Sequence, residues 1–144
     1  MIKHILVAID GSDNAKRAAH AAADLAKQLG AKLTMLVAVR PPSSYLIPPF
    51  DAFSITPSDP DPSHLAAAQQ LIDELIAQLG HGVAVPQTTV GTDAAEVITS
   101  EAARLHADLV VVGARGLGTM DRILLGSVSD RVVRESASSV LVVR

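Results

Sequence analysis

Four glycines lie close together near the end of this 144-residue chain, within the stretch VVVGARGLGTMDRILLGSVSDRVV. Gly113 directly follows an apolar run, where a missing side chain would let a ligand lie against the main chain. Gly116 and Gly118 would allow positive φ or close backbone approach in the loop. Gly126 and Ser127 open a helical pattern, and the unsatisfied N–H groups and dipole at a helix start attract anions. The pattern therefore fits a phosphate-binding loop.

The same residues have a second interpretation. Glycines after strands often only turn the chain, and Ser127 can cap the next helix without any ligand, with Asp130 at the spacing of a capping box. Two common nucleotide motifs do not fit. No Gly-Lys-Ser/Thr of a Walker A loop occurs in the chain, and the first strand ends in Asp-Gly-Ser, unlike a G-x-G-x-x-G fingerprint.

The charged residues near these glycines suggest few further ligands. Arg115 and Arg122 flank the loop and could neutralise phosphate charge, although an exposed loop arginine is commonly just solvated. Asp13 is expected to be a helix N-terminal charge rather than a metal ligand. The five histidines are scattered without the spacing of metal ligands, so no chemical role is assigned to them.

The elements that must position these residues alternate between strand and helix patterns. HILVAID (4–10) is a short, β-branched apolar run and predicts a strand buried on both faces. Alanines then recur at helical spacing, with Ser12 or Asp13 as the N-cap and Gly30 as the end. AKLTMLVAV (31–39) predicts a second buried strand.

The alternation continues in the second half of the chain. Pro86 lacks an amide hydrogen, so its strand is predicted to lie at a sheet edge. Asp93 and Glu96 have the spacing of a capping box at a helix start. The remaining predicted elements are a helix from Asp61-Pro62 to Leu79, strands over 82–90, 108–114 and 139–144, and helices beginning at Asp93 and spanning 127–136.

This order predicts a single α/β domain, residues 1–144, with a doubly wound, five-stranded, mostly parallel open sheet and helices on both faces. Ligands of such sheets bind beyond the carboxyl ends of the strands, where the strand order reverses. The first and fourth strands, ending at Asp10 and Gly113, are expected to be neighbours at that crevice.

Residues 40–63 interrupt the pattern, because they hold seven of the eight prolines and both phenylalanines. Long loops within compact domains are usually functional or disordered. The apolar residues of this one predict that it packs on a neighbouring subunit or at a ligand mouth.

Composition excludes several classes of function. A net charge of −3 offers no cationic surface for nucleic acid, and the absence of cysteine excludes disulfides and thiolate metal sites. The chain contains no apolar run near the roughly 20 residues that cross a bilayer, so no membrane association is expected. The expected location is the cytoplasm.

Two long segments resemble the universal stress protein family. They are ILVAIDGSDNAKRAAHAAADLAKQLGAKLTMLVAV and ADLVVVGARGLGTMDRILLGSVSDRVVRESASSVLVVR. The spacing Gly113, two residues, Gly116, nine residues, Gly126-Ser127 is similar to that of the ATP-binding branch. The resemblance covers essentially the whole chain, least of all 40–63. It departs at 137–140, where the family often has a proline before the last strand.

The resemblance implies a Rossmann-like fold of the adenine nucleotide alpha hydrolase type and a bound ATP with magnesium. Asp10 would face the ribose or a magnesium ion held by the phosphates. Arg115 is a candidate phosphate contact. The other implied contacts are Ala8, Ile9 and the main chain of Ala38 for adenine, Gly113 and Gly116 for the ribose and phosphate channel, and Gly126, Ser127 and Val128 for the phosphates.

The function implied is that of a nucleotide-dependent regulatory homodimer in stress response, paired through the last strand, 139–144, and acting on an unknown protein partner. An unpaired apolar edge strand would itself favour such association. No catalytic set is recognisable, since the chain lacks a Walker lysine, evidently spaced paired carboxylates and a nucleophile elbow. The alternatives are a weak magnesium-dependent ATPase and a nucleotide-free dimerisation or adaptor module.

Overall fold

A computed structural model describes residues 1–39, 62–80, 84–91, 93–117 and 125–144. The predictions for residues 40–61, Gly118 and Arg122 lie outside the described residues. The elements in chain order are β1 (His4–Ala8), α1 (Asp13–Leu29), β2 (Lys32–Val39), α2 (Pro62–Leu79), β3 (Val85–Val90), α3 (Ala94–Arg104), β4 (Leu109–Gly113), α4 (Ser127–Glu135) and β5 (Ser139–Val143).

The five strands form one sheet in the order β3-β2-β1-β4-β5, and every neighbouring pair is parallel. The chain builds outward from β1 to β3 and then returns to the other side of β1, so the strand order reverses between β1 and β4. This confirms the predicted doubly wound sheet and the predicted pairing of the first and fourth strands. Pro86 lies in β3, an edge strand, as its missing amide hydrogen predicted.

The helices cover both faces of the sheet, which confirms that part of the fold prediction. Alternate side chains of a strand point to opposite faces. Ile5 and Val7 of β1 pack with α1 and α2, whereas Leu6, between them, packs with α3 and α4. All three side chains are fully buried. The carboxyl end of β1 is therefore fixed between two cores.

Helix α1 is held at both ends by the residues that the sequence indicated. The Ser12 hydroxyl accepts a hydrogen bond from the Ala15 amide at 3.2 Å, and Gly30 adopts a left-handed conformation with φ 64°. The buried face of the helix consists of Ala15, Ala18, Ala19, Ala22, Ala23 and Ala26. Because each contributes only one methyl group, the helix can pack closely on the sheet.

Several predicted boundaries were wrong by one or two residues. β1 ends at Ala8 rather than Asp10, whereas α2 begins at Pro62, as the Asp61-Pro62 pair predicted. The N-cap of α4 is Gly126 and not Ser127. Gly126 is extended, with φ −71° and ψ 162°, and its carbonyl accepts the Asp130 amide at 2.9 Å. Ser127 is therefore the first helical residue, and no side chain caps this helix.

Candidate functional site

Asp10 organises the turn that follows β1. The Ile9 amide still donates to the Leu36 carbonyl at 2.9 Å, so the chain leaves the sheet immediately after Ile9. The Ser12 amide donates to Asp10 Oδ1 at 2.9 Å, and Gly11 between them has a φ of +86°. The Asp10 carboxylate thus lies at the carboxyl edge of the sheet, and its position is fixed by the turn that it closes.

The end of β1 meets the segment after β4 through two contacts. The second carboxylate oxygen of Asp10 lies against Gly116, where an added Cβ would overlap with it. The Ser12 hydroxyl donates to the Arg115 carbonyl at 3.3 Å. Asp10 and Gly116, which the family resemblance assigned to the same nucleotide site, are therefore in direct contact, and a side chain at position 116 would displace the carboxylate.

Gly113 lacks a side chain for a different reason from the one predicted. A Cβ at this position would lie 2.8 Å from the Asn14 carbonyl carbon and 2.9 Å from the Ala15 nitrogen. Real Cβ atoms essentially never approach main-chain atoms so closely. The space beside Gly113 is filled by the first turn of α1, so this glycine serves the packing of helix on strand.

The start of α4 rests on the segment after β4. The Gly126 amide donates to the Ala114 carbonyl at 2.7 Å, and the Ser129 hydroxyl donates to the same carbonyl at 2.8 Å. The Ser129 hydroxyl also reaches the Gly126 carbonyl at 2.9 Å, and Ser129 is only 3% exposed. Position 126 faces the Arg115 Cα, 3.4 Å from where a Cβ would be. Hydrogen bonds therefore join residues 114–116 and the start of α4 into one corner.

This corner decides which amides can reach a ligand. The Gly126 amide is already bonded to Ala114, so it does not face an anion. The amides of Ser127 and Val128 belong to the first turn of α4 and have no acceptor within the helix. Ser127 is exposed and Val128 is half-buried. The anion-binding capacity at this helix start thus rests on positions 127 and 128.

Ala8 and Ile9 differ in how they can meet a ligand. The Ile9 side chain is 3% exposed and packs in the core beneath α1 and α2, so only its main chain can line the crevice. Ala8 packs toward the opposite face, with Ala38. At both alanines the side chain is a single methyl group, which occupies little space near the strand ends.

The main chain of Ala38 faces the place where β1 has ended. In a parallel ladder, alternate residues of a strand bond to opposite neighbours. The Leu36 carbonyl accepts from Ile9 on the β1 side, and the Val39 carbonyl accepts from Gly91 on the β3 side. Ala38 lies two residues after Leu36, so its main-chain groups point to the same side of β2. The pairing of β1 with β2 ends at Ala8 and Leu36, so β1 does not pair with Ala38. Its N–H and C=O groups are directed toward the crevice.

Arg115 contributes to two different surfaces. Its carbonyl receives the Ser12 hydroxyl in the corner described above. Arg115 also lines a pocket of about 300 Å³ beside α1, together with Asn14, Arg17, Ala114 and Arg144. The position of Arg115 beside the glycine loop suggested a phosphate contact, and no local pattern indicated its grouping with Arg17 and Arg144.

An ion pair joins the helices that cover this face of the sheet. The Asp93 carboxylate caps α3 by accepting the Glu96 amide at 3.0 Å, as the capping-box spacing predicted, and also pairs with Arg131 of α4 at 2.6 Å. The Glu96 amide, and then Arg131, hold the pKa of Asp93 below its usual value of 3.8. Arg131 also contacts Glu135. Helix α4 is thereby tied to the start of α3.

Sequence reasoning missed two residues of the site. Ser129 lies three positions after Gly126, a spacing at which a serine hydroxyl reaches back to a carbonyl, so the pattern Gly-Ser-Val-Ser contained a usable signal. Arg131 and Asp93 lie 38 residues apart, and no local pattern indicates their pairing.

Asp10 is the one carboxylate predicted to meet a metal ion. Within the described part of the chain, no group of three or more His, Asp or Glu residues could hold a metal. Magnesium prefers a single carboxylate or two together with phosphate oxygens and water. The residues present thus fit a magnesium ion that arrives with a nucleotide.

None of the described helices is both long and apolar enough to cross a membrane.

Comparison with known proteins places the chain in one family. The universal stress protein family model matches residues 1–144. The chain is 38% identical over 147 residues to the Thermus aquaticus universal stress protein in QAH/OAS sulfhydrylase 3'region, covering 100% of both proteins. A putative universal stress protein of Staphylococcus haemolyticus is 34% identical over 144 residues, covering 99% of this chain and 84% of that protein.

Solved structures agree with this assignment. A universal stress protein in complex with cAMP superimposes with a TM-score of 0.69 at 29% identity, covering 99% of this chain and 97% of that one. Universal stress protein UspA from Lactobacillus plantarum gives a TM-score of 0.80 at 26% identity, with 99% and 98% covered. The family model, the relatives and the shared fold all extend over the full set of elements described above, and this chain therefore belongs to the universal stress protein family.

Proposed function

We propose that this protein binds ATP at the carboxyl edge between β1 and β4 and acts as a nucleotide-dependent regulatory dimer of the cytoplasm in stress response. The contact of Asp10 with Gly116 supports this proposal most directly, because it joins the two strand ends at the point where strand order reverses. Doubly wound sheets bind their ligands there. The similar protein solved with cAMP adds support for an adenine nucleotide.

In this proposal the adenine lies beside Ala8 and Ile9 and bonds to the main chain of Ala38. Those groups are directed to the crevice, and the neighbouring methyl side chains leave room for the ring. Main-chain donors and acceptors can read a base edge as side chains do. The proposed base site therefore requires small residues and no particular polar side chain.

The phosphates extend from Gly116 toward the start of α4. The amides of Ser127 and Val128 and the Ser127 hydroxyl are the donors, and the positive end of the helix dipole adds to their effect. Gly126 keeps this helix start against residues 114–116, and Gly113 keeps α1 against β4. Arg115 adds positive charge beside the same segment. Magnesium would supply charge neutralisation, with Asp10 holding it through the nucleotide's phosphates.

A direct test is equilibrium titration of the purified protein with ATP, ADP, AMP and cyclic AMP, each with and without magnesium. Two helix-start amides and a metal-binding carboxylate favour ligands with more phosphate charge, so ATP with magnesium should bind most tightly. Asp10→Ala should remove the effect of magnesium. Asp13→Ala is the matched control, because Asp13 is an exposed carboxylate in the first turn of α1. Equal affinity for all four ligands, or none, contradicts the proposal.

A substitution at the start of α4 tests the proposed phosphate contacts of the same site. Gly126→Val should prevent phosphate entry, because its side chain would occupy the space between the start of α4 and residues 114–116, where a Cβ already meets the Arg115 Cα at 3.4 Å. The titration is repeated on this variant beside a thermal melt. Normal ATP binding by a folded Gly126→Val protein would refute the assignment of the phosphates to this corner.

Slow hydrolysis of ATP is a second candidate activity. Phosphoryl transfer depends mainly on positioning and charge stabilisation, and Asp10 with magnesium would supply part of both. Single-turnover release of phosphate, compared between the native protein and Asp10→Ala, distinguishes it from binding alone. Equal release by both proteins would remove this candidate.

The dimer is proposed through β5. Val140, Leu141, Val142 and Val143 are all half-buried in one copy, two toward each core, and β5 is an edge of the sheet. An apolar edge strand is a template for pairing with another strand. A second copy of β5 would cover these residues. A nucleotide-free dimerisation or adaptor module would share this surface, and the titration above separates the two functions.

A further inference from the structure

Ser12 makes three different contacts at the turn between β1 and α1. Its amide donates to Asp10 Oδ1 at 2.9 Å, and its hydroxyl accepts the Ala15 amide at 3.2 Å. The same hydroxyl lies 3.3 Å from the carbonyl oxygen of Arg115, 103 positions away in the chain. Ser12 thus joins the end of β1, the start of α1 and the segment after β4.

The direction of each hydroxyl contact follows from the chemistry of the partners. An amide N–H can only donate and a carbonyl oxygen can only accept, so the Ser12 hydroxyl accepts from Ala15 and gives its one hydrogen to Arg115. The contact is with the main-chain oxygen of Arg115, so it does not depend on what the Arg115 side chain binds. A side chain at position 12 therefore needs both an acceptor and a donor to form the two bonds.

The N-caps described for α3 and α4 lack this combination of groups. Asp93 accepts the Glu96 amide at the start of α3, and an ionised carboxylate has no hydrogen to donate. Gly126, at the start of α4, has no side chain. Helix capping explains the acceptor that Ser12 provides, but it does not explain the hydrogen that Ser12 donates to the segment after β4.

The turn that carries Asp10 contains a residue with unusual backbone freedom. Gly11 has a φ of +86°, a conformation that glycine adopts without steric cost. One oxygen of the Asp10 carboxylate accepts the Ser12 amide, and the other lies against Gly116. The Ser12 hydroxyl bonds the same turn to the residue before Gly116. Movement of the turn would therefore move the carboxylate relative to Gly116.

We propose that the Ser12 hydroxyl is a positioning group that orients the Asp10 carboxylate toward the segment after β4 and so raises the affinity for magnesium-bound ATP. The effect on ATP rests on the proposed function, in which Asp10 holds magnesium through the phosphates. A carboxylate that is already oriented loses less freedom when the metal ion arrives, and such preorganisation strengthens binding. In this proposal Ser12 does not itself contact the nucleotide.

Two substitutions at position 12 separate positioning from helix capping. Ser12→Ala removes the hydroxyl, whereas Ser12→Thr keeps both its acceptor and its hydrogen. ATP is titrated into each protein with and without magnesium. Loss of the cap alone would lower thermal stability and leave the ratio of the two affinities unchanged. Loss of positioning should reduce the gain from magnesium about fivefold in Ser12→Ala, the equivalent of one hydrogen bond, and Ser12→Thr should retain the gain.

The NMR signal of the Gly116 amide follows the carboxylate without any ligand. Because a carboxylate oxygen lies against Gly116, Asp10→Ala should shift this signal, and Ser12→Ala should shift it in the same direction. Ser12→Thr should leave it near its native position. Ser100→Ala removes an exposed hydroxyl of α3 and is the matched control, which should behave like the native protein in both measurements.

The outcomes distinguish the role of Ser12 from the proposed function. The role is overturned if Ser12→Ala leaves either the Gly116 signal or the gain from magnesium unchanged, or if Ser12→Thr loses the gain as fully as Ser12→Ala. In those cases a native protein that binds ATP more tightly with magnesium still supports the proposed function. A native protein that gains nothing from magnesium would contradict both the role of Asp10 and the effect of Ser12 on ATP.

Discussion

The Asp10 carboxylate lies directly against the main chain of Gly116, although 106 positions separate the two residues in the chain. Its other oxygen accepts the Ser12 amide at 2.9 Å. The carboxylate is thereby held between the turn after β1 and the segment after β4. The position of the Asp10 carboxylate therefore depends on both the turn after β1 and the segment after β4.

Gly116→Ala should displace Asp10 with little loss of stability. The added Cβ would overlap with a carboxylate oxygen, which is the end of a flexible side chain and can turn away at low cost. The free energy of unfolding should change by about 0.5 kcal/mol or less. Under the proposed function, the affinity for ATP with magnesium should fall about tenfold, the effect of losing one charged contact. Calorimetry and urea unfolding measure the two quantities, and unchanged affinity would contradict the role given to Asp10.

Gly113→Ala should lower the free energy of unfolding, whereas Gly126→Ala should change it little. At position 113 the new Cβ would lie 2.8 Å from a main-chain atom of α1, so the helix must move, at a cost of about 1–3 kcal/mol. At position 126 the nearest atom is 3.4 Å away and the backbone has an ordinary φ of −71°. Urea unfolding of the two variants compares them directly. Similar losses in both would show that the packing of α1 on β4 is looser than described.

Much of the fold follows from local patterns in the chain. β1 and β2 are continuous apolar runs because parallel strands are buried on both faces, and the alanine spacing of α1 marks its buried side. Pro86 identified an edge strand through its missing donor. The cap of α4 was misplaced because glycine and serine both serve as N-caps, and adjacent candidates differ by a single residue.

The site was less predictable than the fold. The types and spacing of Asp10, Gly116 and Gly126 indicated a crevice, but not that Asp10 touches Gly116 or that the Gly126 amide is already bonded. Such contacts depend on how distant segments pack, which no local pattern encodes. Gly113 shows the same limit, since a glycine that accommodates a ligand and one that accommodates a helix are identical in sequence.

Ser129→Ala should loosen the start of α4. The buried hydroxyl bonds to the carbonyls of Ala114 and Gly126, and its loss should lower the free energy of unfolding by about 1 kcal/mol. Ser100→Ala is the control, because its hydroxyl bonds only within α3, to the Val97 carbonyl, and the residue is exposed. Thermal and urea unfolding compare the variants. A larger loss in Ser100→Ala would show that the Ser129 hydroxyl does not hold the corner together.

Val142→Lys should convert the proposed dimer into a monomer. A lysine on β5 would place a charge on the surface that a second copy covers, and charged side chains on edge strands prevent pairing. Thr88→Lys makes a comparable change on β3, the opposite edge, whose Pro86 lacks a donor for pairing. Sedimentation velocity measures the molecular mass of each protein. A monomeric native protein, or a monomer in both variants alike, would argue against pairing through β5.

Asp108 should contribute stability that is lost in acid. Its carboxylate accepts the amides of Lys3 at 2.7 Å and His4 at 3.0 Å, which lower its pKa below the usual 3.8. A carboxyl with a lowered pKa in the folded state stabilises the protein fully above the unfolded value and loses this effect as pH falls through the folded one. Asp108→Asn should therefore be less stable than the native protein at neutral pH, and the difference should shrink below pH ~3.9.

Urea midpoints measured across this pH range test the prediction. Asp24→Asn, a change to an exposed carboxylate of α1, is the control and should show a smaller difference from the native protein. A gap between the native protein and Asp108→Asn that stays constant down to the most acidic pH would mean that the charge of Asp108 is not responsible.

The six buried alanines of α1 have a mechanical consequence. A methyl group has no alternative rotamers, so this contact freezes no side-chain conformers on folding and has none to exchange afterwards. Helix α1 therefore packs on the sheet through side chains that cannot rearrange as longer side chains can. Any adjustment of the crevice to the shape of a bound ligand must then come from the segment after β4, residues 114–116.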